Sequence, residues 1–282
     1  MNSTIKSICV CGAGTMGTGI AQAAAQHGFT VIVFDIGESM LKQSRIGMEK
    51  NLQSLVNKNK ISASTRKIIL DKVSFTSSYQ SCIADFVIEA ILEKPVAKQE
   101  LFRQLFEVNS DATIFATNTS SLSVTEIARA LPYPSRVVGM HFFNPATIMK
   151  LVEVVQTKFN SAATIELVMQ LALDMGKKPV RCIDAPGFIV NRVARPYYIE
   201  ALRLAEEGVS MSVIDALMES AGFKMGPFHL MDLIGNDVNY AVSCSVYEQL
   251  GKPPRLTPSA IQQQIVAAGK LGRKSGVGYY NY

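Results

Sequence analysis

The feature that most constrains this 282-residue chain is the turn Gly12-Ala13-Gly14-Thr15-Met16-Gly17. It follows the short apolar run 7–10 directly and leads into a helix-period segment over 16–27. A Gly-x-Gly-x-x-Gly turn in that setting predicts a parallel strand feeding a helix whose N-terminus faces a dinucleotide pyrophosphate. Gly12 permits the tight turn, Gly14 lets backbone approach the phosphates, and Gly17 lets the helix pack close to the strand. Asp35 stands at the end of the second expected strand, 30–34, about 20 residues on, where a carboxylate accepts bonds from the adenosine ribose hydroxyls. It would repel a 2′-phosphate, and Arg45 falls well into the next helix, so NAD is favoured over NADP. Taken alone, the turn also admits a flavin or a purely structural role.

Short β-branched runs continue to alternate with helical periods. Strands are expected at 7–10, 30–34, 86–88, 113–116, 136–140 and 151–155, with helices at 16–27 and 39–57. This predicts an α/β fold: an N-terminal Rossmann-type, doubly wound sheet of six or more strands over residues 1–184. Ala185-Pro186-Gly187 then punctuates the chain, and 185–282 reads as an all-helical C-terminal domain. Its expected helices are 188–207, which Pro196 should kink or restart, then 211–221, segments around 230–250, and 258–268, before an ordered Gly- and Tyr-rich tail.

Composition removes several classes of protein. With 48% hydrophobic and 18% charged residues, the chain is globular. The net charge of +5 is spread out, so nucleic acid is not an expected partner, although a mild surplus suits a polyanionic small molecule. Five cysteines with no Cys-x-x-Cys pair suggest neither disulfides nor a zinc site, and fit a reducing cytoplasm. No signal-peptide core is read, and no apolar run reaches the roughly 18 residues that would span a membrane.

His141, in Met140-His141-Phe142-Phe143-Asn144-Pro145, is read as lying in the loop just after a strand. Oxidation of an alcohol by nicotinamide needs a group to take the hydroxyl proton, and imidazole titrates nearest neutrality. Glu153 interrupts the apolar run Leu151-Val152-Glu153-Val154-Val155, where a lone carboxylate is costly unless paired, and a histidine would suit it. Alternation alone equally allows an outward-facing residue with no role. Asn118-Thr119-Ser120-Ser121 offers an amide and hydroxyls at a strand end, or only an N-cap for 124–130. Asn191, in Pro186-Gly187-Phe188-Ile189-Val190-Asn191-Arg192, is likewise open between function and packing.

The glycine turn at 12–17, Asn-Thr-Ser-Ser at 118–121, His-Phe-Phe-Asn-Pro at 141–145, Pro-Gly-Phe-Ile-Val-Asn-Arg at 186–192 and Gly-Arg-Lys-Ser-Gly-Val-Gly-Tyr-Tyr at 272–280 occur in order along nearly the whole chain. Together they resemble the L-3-hydroxyacyl-CoA dehydrogenase family, with bacterial 3-hydroxybutyryl-CoA dehydrogenases the nearest branch. The resemblance implies His141 as catalytic acid/base, Glu153 as its partner, Ser120 bonding the reacting oxygen, and Asn191 holding the substrate from the second domain. It further implies cofactor contacts from Thr15, Met16, Asn118, Asn144 beside the nicotinamide, and Glu89 beside its ribose. Lys58, in the basic stretch 50–60, falls where the family offers cations to CoA phosphates, although that stretch could be only a solvated face. Asn51 stands where some members have serine. An (S)-3-hydroxyacyl-CoA substrate and a homodimer built through the second domain are also implied. Two other readings stay open: a dehydrogenase of free 3-hydroxy acids or sugar acids, and a non-catalytic dinucleotide-binding protein. His141, Glu153, Ser120 and Asn191 together argue against the latter.

Overall fold

The computed structural model describes residues 5–282, which divide into one unit ending at Asp184 and another covering Ala185–Tyr282. The first unit runs β1 (Ser7–Cys11), α1 (Thr15–Gln26), β2 (Thr30–Phe34), α2 (Glu38–Asn57), α3 (Ala63–Asp71), β3 (Val73–Thr76), β4 (Phe86–Glu89), α4 (Pro95–Val108), β5 (Ile114–Thr117), α5 (Val124–Arg129), β6 (Val137–Phe142), β7 (Leu151–Gln156), α6 (Ala162–Asp174) and β8 (Lys178–Ile183). The strands form one sheet in the order β3-β2-β1-β4-β5-β6-β7-β8. Chain order reverses beside β1, so the sheet is doubly wound and its crevice opens at the carboxyl ends of β1 and β4.

β1 is buried on both faces, which is why it reads as an unbroken apolar run. Ile8 and Val10 face the core made with Ile20, Ala24, Met48 and Leu52, while Cys9 and Cys11 face Phe102, Phe106 and Phe115 on the other side. α2 reaches the first core with Leu41, Ser44, Met48 and Leu52, one stripe at helical spacing. Fully burying such an aliphatic side chain contributes about 1.5–3 kcal/mol.

Three features depart from the sequence expectations. β3 and β8 are additional strands at the two edges; they are short or largely exposed, and charge and proline at Lys178, Pro179 and Arg181 mask the strand pattern of β8. β7 runs antiparallel to β6 within an otherwise parallel sheet. That pairing carries β6 through Phe142, so His141 is a strand residue and not part of the following loop.

The second unit comprises α7 (Val190–Glu206), α8 (Met211–Ser220), α9 (Pro227–Ile234), α10 (Asn236–Gln249) and α11 (Ala260–Ala267). Pro196 lies inside α7, and Gly235, at φ +104°, divides the expected 230–250 segment into α9 and α10. The C-terminal tail is anchored by the buried Asp232, whose carboxylate accepts the backbone N–H groups of Tyr279 and Tyr280, both at 3.0 Å. A Cβ on Gly272 would lie 2.2 Å from the Asp232 carbonyl oxygen, and one on Gly278 would lie 2.0 Å from its carboxylate. Both glycines are therefore required by close approach. Among the described residues no helix is long and apolar enough to cross a membrane.

Candidate active site

The glycine turn sits at the switch point between β1 and β4. Gly12 has φ +106°, and a Cβ there would come within 2.5 Å of the Ala90 carbonyl oxygen; one on Gly17 would come within 1.7 Å of the Gly12 carbonyl oxygen. The protein's own packing thus demands both. Gly14 is different. Its φ of −72° suits any residue, and nothing lies within 4 Å of a Cβ built on it, so the space before it is kept open. Thr15 and Met16 begin α1, whose first turn holds no carboxylate and no side-chain cap, so its N–H groups and positive dipole end suit an anion.

Asp35 Oδ2 accepts the Ala13 N–H at 2.8 Å, and Oδ1 accepts the Gly37 N–H at 2.9 Å. These bonds fix the carboxylate beside the turn, and each oxygen keeps a second lone pair for a ribose hydroxyl. Arg45 is turned to stack on Phe75, with its guanidinium carbon 4.6 Å from the ring centroid. An open glycine, an uncapped helix start and an anchored carboxylate together fit NAD.

His141 and Glu153 are opposite residues in the antiparallel β6–β7 ladder. Directly opposed residues project to the same face with Cβ atoms about 4.5–5.5 Å apart, so the register itself makes the pair. A slip of one residue would carry Glu153 to the other face. His141 Nδ1 lies 2.7 Å from Glu153 Oε2, and the two residues are 6% and 1% exposed. With Nδ1–H donating to the carboxylate, the basic ring nitrogen is Nε2. Two residues earlier on the same face, Gly139 makes room for Val155, whose Cβ would lie 2.6 Å from a Cβ there. Because β4, β5 and β6 are parallel to β1, the dyad stands toward the same sheet end as the glycine turn.

Asn118 donates its N–H to the Glu89 carbonyl, and its Oδ1 accepts the Phe142 N–H, both at 2.8 Å. It thereby ties β4, β5 and the dyad-bearing strand together. Ser120 follows, with its N–H donating to Glu93 Oε1 at 3.0 Å; Thr119 donates its hydroxyl to the same oxygen. Lys98, 1% exposed, reaches Glu93 at 3.1 Å and Glu89 at 2.6 Å. Burial, and then Lys98, act in opposite directions on both carboxyls: Glu89 is held above its ordinary pKa, Glu93 below.

Glu89 does not fit the ribose contact that the resemblance implies. It is fully buried, with Oε1 bonded to Lys98 and the Ile91 N–H and Oε2 accepting the Thr117 hydroxyl at 2.6 Å. Both of its carboxylate oxygens are held by protein groups. Glu93 and Lys98 are the residues that the sequence reading missed. The signal available was a second carboxylate four residues after Glu89, followed by a lysine one turn beyond Pro95 at the helix start.

A cleft of about 320 Å³ lies between α1, α2 and the segment after β6, lined in part by Gly14, Gly47, Asn51, Asn144 and Ala146. Lys58, exposed at the end of α2, lies seven residues beyond Asn51 on the same helical face, about 10 Å farther along. In the second unit, Asn191 is in the first turn of α7. Its carbonyl accepts a bond from Arg195 Nε at 3.0 Å, and the same buried guanidinium bonds the Asn239 carbonyl and the Ser243 hydroxyl.

Comparison with known proteins decides the family. Residues 7–185 match the family model "3-hydroxyacyl-CoA dehydrogenase, NAD binding domain", and residues 187–282 match "3-hydroxyacyl-CoA dehydrogenase, C-terminal domain". This chain belongs to the 3-hydroxyacyl-CoA dehydrogenase family. It is 47% identical over its whole length to 3-hydroxyadipyl-CoA dehydrogenase of Escherichia coli K12, of which it spans only 60%. With mitochondrial hydroxyacyl-coenzyme A dehydrogenase of Sus scrofa it shares 41% identity, covering 99% of this chain and 91% of the relative. The solved structure of (S)-3-hydroxybutyryl-CoA dehydrogenase from Ralstonia eutropha superposes with a TM-score of 0.94 at 35% identity, covering 99% of both chains. The N-terminal unit is therefore the family's NAD-binding domain.

Proposed function

We propose that this chain is an NAD-dependent dehydrogenase interconverting (S)-3-hydroxyacyl-CoA and 3-ketoacyl-CoA, with 3-hydroxybutyryl-CoA and acetoacetyl-CoA as its substrate pair. The observation that carries the reading is the register-set His141–Glu153 pair, 2.7 Å apart near the end of the sheet that bears the glycine turn. NAD, when bound, exchanges a hydride with carbon 3 of the substrate. In oxidation, His141 Nε2 takes the proton of the 3-hydroxyl, and Glu153 stabilises the imidazolium that results. In reduction the imidazolium returns that proton to the forming alkoxide. Ser120 bonds the reacting oxygen, its backbone steadied by Glu93, and Asn191 serves substrate binding. Gly12, Gly14, Thr15, Met16, Gly17, Asp35, Asn118 and Asn144 serve the cofactor, while Lys58 offers a cation to CoA phosphates.

The helical unit exposes Val193, Val213, Leu217, Phe223 and Val238, apolar surface that supports a homodimer formed through this domain. Five unpaired thiols, four of them buried, support residence in a reducing compartment such as the cytoplasm. The Escherichia coli relative's name favours a second reading of the acyl group, a chain ending in a carboxylate. One assay tests the whole proposal: NADH oxidation with acetoacetyl-CoA, 3-ketoadipyl-CoA and free acetoacetate compared. Acetoacetyl-CoA should be turned over most efficiently. Preference for 3-ketoadipyl-CoA would support the second reading, and turnover of free acetoacetate alone would reject a CoA thioester substrate.

A further inference from the structure

Lys177, between α6 and β8, is 6% exposed, yet among the described residues no carboxylate forms an ion pair with it. Its ammonium instead donates to two backbone carbonyls, those of Ala146 and, at 3.1 Å, Met149. Burial holds the Lys177 pKa below its ordinary value, with the nearby Lys150 ammonium acting in the same direction. A cation placed so unfavourably needs strong acceptors. Those acceptors belong to the turn after β6, where the N–H groups of Ile148 and Met149 both donate to the Pro145 carbonyl at 3.0 and 2.9 Å.

The same turn forms one wall of the cleft beside the glycine loop, through Asn144 and Ala146. α1 meets it from the other side: a Cβ on Gly19 would lie 3.2 Å from the Ala146 Cβ. The residue before Lys177 is seated on α1 as well, since a Cβ on Gly176 would lie 2.2 Å from His27 Nε2, and His27 Nδ1 is 2.8 Å from the Ala23 carbonyl oxygen. Lys177 therefore links the nucleotide helix to the turn that carries Asn144.

We propose that Lys177 is a positioning residue for the reaction: its buried ammonium clamps the Ala146 and Met149 carbonyls and so fixes the Asn144 wall of the cleft. The clamp rests on the functional reading above only for what Asn144 touches. Removing the donor releases two carbonyls and lets the wall drift, and a displacement of about 1 Å at a positioning group can cost up to about 100-fold in rate.

Lys177→Met removes the donor at similar length. In the protein without ligands, hydrogen exchange of the 144–150 peptide should quicken at least about tenfold while the β1 and β4 peptides keep their protection. In the same variant kcat/KM for acetoacetyl-CoA should fall about 10- to 100-fold, a larger change than any loss of NADH affinity through Asn144. Lys177→Arg, which keeps charge and donors, should retain the slow exchange and most of the activity. A purely structural role would lower the melting temperature of Lys177→Met and leave local exchange and kcat/KM of the folded enzyme at wild-type values, and that result overturns the proposal. Should Lys177→Met not fold, Lys177→Arg decides, because fast exchange of the 144–150 peptide there also overturns it. Exchange needs no turnover, so a wild-type protein inactive on acetoacetyl-CoA would reject the functional reading and leave the clamp to be judged separately.

Discussion

Lys98 lies between two carboxylates and is almost fully buried, so replacing it by methionine should be among the most damaging single changes in the NAD-binding domain. The side chain is matched in length, so little packing is lost. What changes is that Glu89, fully buried, loses the cation that bonds it at 2.6 Å. Removing one partner of a buried ion pair costs about 3–5 kcal/mol. At about 2–4 °C per kcal/mol, Lys98→Met should melt roughly 6–20 °C below wild type at pH 7. The deficit should depend on pH. Glu89 already has a folded-state pKa above its ordinary 4.5, from burial first, and loss of Lys98 raises it further. Between the unfolded and folded values the folded state holds more protons, so stability falls as pH rises through that window. Glu93, held below its ordinary value, has the opposite sign: its contribution is present above that value and lost as pH falls. Because Glu93 is partly exposed, Glu89 should dominate, and the deficit should be smaller at about pH 5 than at about pH 8. Glu89→Gln in the Lys98→Met background should recover at least half of the loss, since the amide keeps hydrogen-bonding capacity without a buried charge. Thermal melts of the three proteins at both pH values are the assay. A deficit that is independent of pH, or no recovery in the double variant, refutes the buried-charge argument.

Three other substitutions probe the cofactor and CoA assignments. Asp35→Ser should narrow the ratio of kcat/KM for NADH over NADPH at least about tenfold by removing repulsion of the 2′-phosphate; an unchanged ratio removes Asp35 from cofactor selection. Gly14→Val adds a Cβ with no protein atom within 4 Å of it, so folding should be intact while NADH affinity falls at least about tenfold, as titrated by NADH fluorescence; normal affinity would show that the open space is not used. Lys58→Ala should raise KM for acetoacetyl-CoA more than it lowers kcat, and an unchanged KM at low salt rejects the contact.

The parts legible in sequence were those whose geometry is local. The glycine turn is dictated by a strand, a tight bend and a helix start that are contiguous, and Asp35 by the end of the next strand. Glu153 could be marked as needing a partner because a carboxylate within an apolar run is costly, but its pairing with His141 depends on an antiparallel return that repeated βαβ units do not forecast. For the same reason His141 was expected in a loop. The ribose role of Glu89 came from the family resemblance alone, and nothing local in the sequence marks its buried pairing with a lysine nine residues later, inside α4. Lys177 carries no sequence signal at all, since its acceptors are backbone carbonyls about 30 residues away in the chain.

The central claim is that His141 and Glu153 act as one acid/base unit, and a double-mutant cycle in kcat tests it most directly. His141→Gln should lower kcat by about 10²- to 10⁴-fold with NADH binding retained, because an amide cannot shuttle the proton. Glu153→Gln preserves the shape of the pair and removes the charge that favours imidazolium, so it should lower kcat as well. If the two form a unit, Glu153→Gln has little left to remove once His141 is gone, and the double variant should be about as slow as His141→Gln alone. Losses that multiply would show two residues acting independently, and near-normal turnover by folded His141→Gln would contradict the account altogether.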